Sequence, residues 1–68
     1  MKKNFSIVLK ELRTQSNLLQ VELAEACNIS VRTIIRYENN ERLPDIETAI
    51  KLADYFNVTL DYLVGREG

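Results

Sequence analysis

The side chains with the most chemistry to offer lie between residues 20 and 42. Arg32 and Arg36 stand four residues apart, flanked by Val31 and Ile35 at the same spacing. On a helix this spacing stacks each pair on one face. A guanidinium fork matches phosphate, or the O6 and N7 atoms of guanine, and apolar groups beside it can pack on thymine methyls. The combination points to base reading at half-sites rich in G and T steps. The bland reading is two solvated charges on an exposed helix, and the surrounding pattern must decide between them.

Other candidates for chemistry are weaker. The chain has no histidine, which removes the usual general base and any Ser-His-Asp arrangement. One cysteine makes no internal disulfide, and no Cys/His cluster exists for a structural zinc. Cys27 falls on an apolar helix face, where a small hydrophobe is a better reading than a redox sensor. Asp54 and Asp61 form no site with metal ligands, and Asp61 sits beside a helix start, where an acid complements the dipole. An enzyme is not expected, nor a cofactor, metal or small-molecule ligand.

Composition sets further bounds. The 68 residues allow one domain, residues 1–68, with 46% apolar residues, an ordinary globular share. No apolar run approaches the ~18 residues of a membrane span. Lys2 and Lys3 resemble the start of a signal peptide, but Ser6, Lys10, Glu11 and Arg13 interrupt the stretch behind them, so no apolar h-region forms. A cytoplasmic protein is expected. The net charge of −1 counts against nucleic acid, but distribution matters more than the total. Lys2, Lys3, Lys10 and Arg13 lie early and Arg32, Arg36 and Arg42 in the middle, whereas Asp45, Glu47, Asp54, Asp61 and Glu67 lie late.

Five short helices must position these groups. The first spans about Phe5 to Ser16, with Asn4 as cap and Phe5, Leu9 and Leu12 as its apolar stripe. The second spans about Gln20 to Cys27, burying Leu23, Ala24 and Cys27. The third spans about Val31 to Asn39 behind Ser30, with Ile34 and Tyr37 inward and Val31, Arg32, Ile35, Arg36 and Asn39 outward. The fourth, about 46–56, is capped by Asp45 and buries Ile46, Ala49, Leu52, Ala53 and Phe56. The fifth, about 60–64, is capped by Thr59 and ends at Gly65. Asn28, Asn39-Asn40 and Asn57 are stop signals, because asparagine tolerates the left-handed conformation. In the turn between the second and third helices, Ala24 is small where they cross, and Ile29 plugs into the core.

Here the chain resembles the Cro/repressor-type (XRE-like) helix-turn-helix family of bacterial and phage regulators. The residues are Gln20-Val21-Glu22-Leu23-Ala24, Ile29-Ser30-Val31-Arg32-Thr33-Ile34 and Tyr37-Glu38-Asn39, then Leu43-Pro44, Glu47-Thr48, Lys51-Leu52-Ala53 and Val58-Thr59-Leu60-Asp61-Tyr62-Leu63. The resemblance implies an all-α, compact five-helix, lambda-repressor-like domain with the helix-turn-helix over about 20–39. It implies a homodimeric transcriptional regulator, a repressor, on palindromic double-stranded DNA. Val31, Arg32 and Arg36, with Ile35 beside them, take the base-reading positions. Gln20, Thr33, Asn39, Asn40 and Arg42 take positions at the DNA backbone, and Arg13 and Glu38 those of a partly buried ion pair. The dimer surface is expected at Tyr55, Leu60 and Val64, with Tyr62 at the core edge.

The chain departs from the family pattern at Leu19, where a Ser or Thr cap is usual, so the second helix is expected to fray. Asn28, Asn40 and Asn57 replace glycine, and Glu41 and Asp45 acidify a loop that often faces phosphate. The low pI and this loop motivate rival readings: a protein-interaction module on the same fold, or an antitoxin.

Overall fold

A computed structural model describes residues 3–66; Lys2 and Glu67, both part of the charge pattern, lie outside the described residues. Among the described residues five helices run in order: α1 Phe5–Gln15, α2 Gln20–Cys27, α3 Val31–Glu38, α4 Ile46–Phe56 and α5 Leu60–Leu63. There is no strand among the described residues. The architecture is all-α, with α3 packed on α1 and α2, α4 on α2 and α5, and α5 closing against α1.

Four of the five helix starts carry a side-chain cap that accepts an amide hydrogen bond from the first turn. Asn4 receives Ile7 N–H at 3.0 Å, Ser30 receives Thr33 at 3.1 Å, Asp45 receives Thr48 at 2.8 Å and Thr59 receives Tyr62 at 3.0 Å. The bonds from Thr48 hold the exposed Asp45 carboxyl below its ordinary pKa. This cap therefore stabilises above the usual carboxylate range and is lost as pH falls through the lowered value. At α2 Leu19 has no side-chain acceptor, but the start is not left bare. The Glu22 carboxylate reaches back to accept the Leu19 N–H at 2.8 Å. This is the reciprocal half of a capping box, and it replaces the expected fraying with a satisfied amide.

All five helix ends use one device. A residue at positive φ succeeds the last turn, and the next residue donates its N–H to the carbonyl five positions back, as in a Schellman stop. The positive-φ residues are Asn17, Asn28, Asn40, Asn57 and Gly65, with φ of 59°, 56°, 60°, 57° and 81°. The closing bonds run from Leu18 to Arg13, Ile29 to Ala24, Glu41 to Arg36, Val58 to Ala53 and Arg66 to Asp61, at 2.8–3.1 Å. Leu18, Ile29 and Val58 also pack on the core, so three stops are pinned from inside.

The core is built from Phe5, Leu9, Leu23, Ile34, Tyr37, Leu52 and Leu63, with Ala24, Ala49 and Ala53 where helices approach closely. Phe5 and Tyr37 meet edge to face, ring centres 5.4 Å apart, a favoured aromatic geometry. Two details differ from the helical spacing. In α1 Phe5 and Leu9 are buried and Leu12 packs half-buried on the core as spaced, but Val8 is buried as well, so the stripe is wider. In α4 Ile46, assigned to the buried face by its spacing with Ala49 and Ala53, is 63% exposed. Ile46 instead opens onto a groove with Leu43, Pro44, Leu60 and Val64.

Gly65 is the one stop that cannot be asparagine. A Cβ there would lie 2.3 Å from the Lys3 carbonyl oxygen. Gly65→Ala is expected to lose about 2 kcal/mol or more through combined backbone strain and clash, measured by urea denaturation. An unchanged midpoint would show that residues 3 and 65 are not in contact.

Candidate nucleic-acid interface

The outward face of α3 is set by what the opposite face buries. Ile34 and Tyr37 are in the core and Glu38 is buried, which turns Arg32 and Arg36 outward, both exposed. Neither arginine forms an ion pair among the described residues. Val31 and Ile35 flank them, also exposed. The four expected base-reading side chains therefore share one outward surface.

Gln20, the first residue of α2, is half-buried, and its Nε2 donates to Glu38 Oε1 at 3.1 Å. This ties the start of α2 to the end of α3. Thr33 is half-buried and its hydroxyl is 2.8 Å from Ser30 Oγ, so part of its capacity serves the α3 start. Asn39, Asn40 and Arg42 are exposed beyond the last turn. Glu41 and Asp45 are exposed in the same loop and place negative charge beside Arg42.

Glu38 is the junction of the site. Arg13 Nε donates to Glu38 Oε2 at 2.6 Å and Arg13 Nη2 to Oε1 at 2.9 Å, a two-pronged match. The side chains are 12% and 2% exposed respectively. Arg13 Nη1 also donates to the Leu18 carbonyl at 2.8 Å, reaching the α1–α2 turn. The hydrogen bond to Glu38 is the main cause of a guanidinium pKa above its already high ordinary value, so the positive charge is permanent. A contact without a sequence signal completes the junction: the buried Ser6 hydroxyl donates to the Glu38 backbone carbonyl at 2.6 Å.

The remaining candidates take quieter roles. Cys27 is buried, and desolvation pushes its thiol pKa up despite Lys51 nearby, the reverse of what a reactive thiolate needs. Burial likewise raises the Tyr37 phenol. Tyr62 is more than one-third exposed, at the core edge. Leu60 and Val64 line the apolar groove with Leu43 and Ile46. Tyr55 instead stacks edge to face on Phe56 and lines a separate depression with Ala26, Cys27 and Lys51. No group of three potential metal ligands occurs among the described residues, and none of their helices is long and apolar enough to cross a membrane.

Two short helices joined by the Asn28-Ile29-Ser30 turn, the second presenting a basic and apolar outer face, define a helix-turn-helix domain. The chain belongs to the helix-turn-helix family, whose model matches residues 9–63; the family is not one of enzymes. It is 41% identical over 59 residues to the HTH-type transcriptional regulator ImmR of Bacillus subtilis, covering 87% of this chain and 46% of that protein. It is 34% identical over 58 residues to the cryptic phage CTXphi transcriptional repressor RstR of Vibrio cholerae, covering 85% and 52%. A crystal structure of a transcriptional regulator from Listeria innocua superposes with a TM-score of 0.88 at 35% identity, over 100% of this chain and 64% of that one. The chain thus spans about half the length of the two curated relatives.

Removing one partner of a buried ion pair strands the other charge. Glu38→Gln is expected to cost about 3 kcal/mol, a fall of more than ~10 °C in melting temperature for a domain this size. Glu11→Gln, which breaks the exposed Lys3–Glu11 pair, should leave the melt almost unmoved. Equal shifts in the two variants would refute the junction role of Glu38.

Proposed function

We propose that this chain is the DNA-binding domain of a transcriptional regulator, reading double-stranded DNA with α3 in the major groove. The carrying observation is the pair of exposed guanidinium groups one turn apart on a helix whose other face is locked in the core. Arg32 and Arg36 read guanine, and Val31 and Ile35 lie against neighbouring bases. Gln20, Thr33, Asn39, Asn40 and Arg42 hold the backbone. The phage repressor among the relatives supports repression as the regulatory sense.

One helix of this length reads only a few base pairs, so two copies on a palindrome, with half-sites ~34 Å apart, suit the fold. The contact between copies is assigned to the groove of Leu60 and Val64, which also holds Leu43 and Ile46. Its strongest support is Leu43, 73% exposed at the groove edge. Tyr55 is left out because it lies elsewhere.

Selection of bound duplexes from a random pool should recover a palindrome with G and T at contacted positions. On that duplex Arg36→Ala should cost ~1–3 kcal/mol and relax the preference at one position, whereas Gln20→Ala should weaken all duplexes alike. Wild-type affinity in both variants would mean the face is wrong. Affinity should fall with salt, as phosphate contacts require; salt-independent capture of a protein in place of DNA would favour the interaction-module reading. Sedimentation showing only monomer at high micromolar concentration, with and without the selected duplex, would refute the dimer.

A further inference from the structure

We propose that Glu22 is a charge brake on DNA binding: its carboxylate, held at the start of α2, repels the phosphate that Gln20 is proposed to meet, and so limits affinity for every duplex alike. The inference rests on the DNA-reading proposal and names a residue that works against it. Glu22 is exposed, yet its side chain is tethered, because Oε1 accepts the Leu19 N–H at 2.8 Å. That bond folds the negative charge back over the first turn of α2, whose first residue is Gln20. The start of a helix favours an anion, and here the chain supplies its own.

Among the described residues no cation pairs with this carboxylate. Arg13 reaches the turn before α2 through the Leu18 carbonyl, but its guanidinium is committed to Glu38. Gln20 is uncharged, and one of its amide hydrogens goes to the same Glu38. The phosphate contact proposed at this end of the face is therefore made by a neutral amide beside a fixed anion. Two like charges ~6 Å apart in water repel by about three-fold in an equilibrium constant, and salt screens the effect. The repulsion acts on phosphate and carries no base sequence. It falls on random and selected DNA equally and leaves discrimination to Arg32 and Arg36.

The test measures binding to the tightest duplex recovered from the random pool and to a scrambled duplex of the same composition, across a salt series. Glu22→Gln removes the charge and keeps a side-chain oxygen for the Leu19 amide. Expected at low salt is binding about three-fold tighter per bound copy on both duplexes, with the gain shrinking as salt rises and the melting curve in place. Glu22→Ala also deletes the acceptor, so its melting temperature should fall, yet below that temperature it should show the same gain in affinity. A purely structural role would give the stability loss without the gain. Asp54→Asn makes the same change of net charge at an exposed position of α4 and should gain less. Unchanged or weaker binding by Glu22→Gln, or a gain no larger than that of Asp54→Asn, would overturn the brake and leave DNA reading intact. A gain confined to the selected duplex would overturn it equally. No selective binding to any duplex by the unaltered protein would overturn the DNA reading and this inference together.

Discussion

A single carboxylate holds α3 in place. Glu38 is the last residue of α3, and its side chain takes two hydrogen bonds from Arg13 of α1 and one from Gln20 of α2. Its backbone carbonyl takes a fourth from Ser6. Through the bond from Arg13 to the Leu18 carbonyl, the α1–α2 turn is gathered into the same point. A charge buried this deeply is tolerated only where its partners are complete, so the network fixes one relative placement of three helices. The angle at which Arg32 and Arg36 leave the globule is a result of that placement. Gln20 is proposed to meet the DNA backbone and is also braced on Glu38, so the residues proposed for backbone positioning and for base reading share one support.

The helix ends show a second economy of means. One stop geometry closes all five helices, and asparagine serves wherever a Cβ has room. Only where the chain passes against Lys3 does glycine become obligatory. Most of this is legible from residue types, because Asn28, Asn40, Asn57 and Gly65 stand at the ends of apolar periodic stretches. Asn17 is harder to single out, since the first stretch trails into Ser16 without an apolar residue to mark its end. The start of α2 defeats a reading by residue type for a related reason: Leu19 cannot cap, and the compensating acceptor lies three residues on, in Glu22.

Burial is less legible than helicity. Periodicity gives an angular position but not how far along a helix its neighbours extend, which is why Ile46 shares a direction with Ala53 and yet faces an open groove. The outward side of α3 can be read because its inward residues, Ile34 and Tyr37, are unambiguous. The Arg13–Glu38 pair, 25 residues apart, comes from family resemblance alone; no local pattern joins them. The Ser6 contact carries no mark in the sequence, since a serine in a first helical turn is ordinary. Tyr55 groups with Leu60 and Val64 only as an aromatic near the end of the chain, and the packing separates them.

The close approach of Gly65 to Lys3 gives the fold a closed outline, bringing the first and the last turns of the described residues to one spot. Segments that meet in this way can be joined there by a short bridge and the domain reopened at an exposed loop without displacing the core. The same juxtaposition lets the domain sit inside another polypeptide as an insert, its host contributing one length of chain in and one out at nearly the same point.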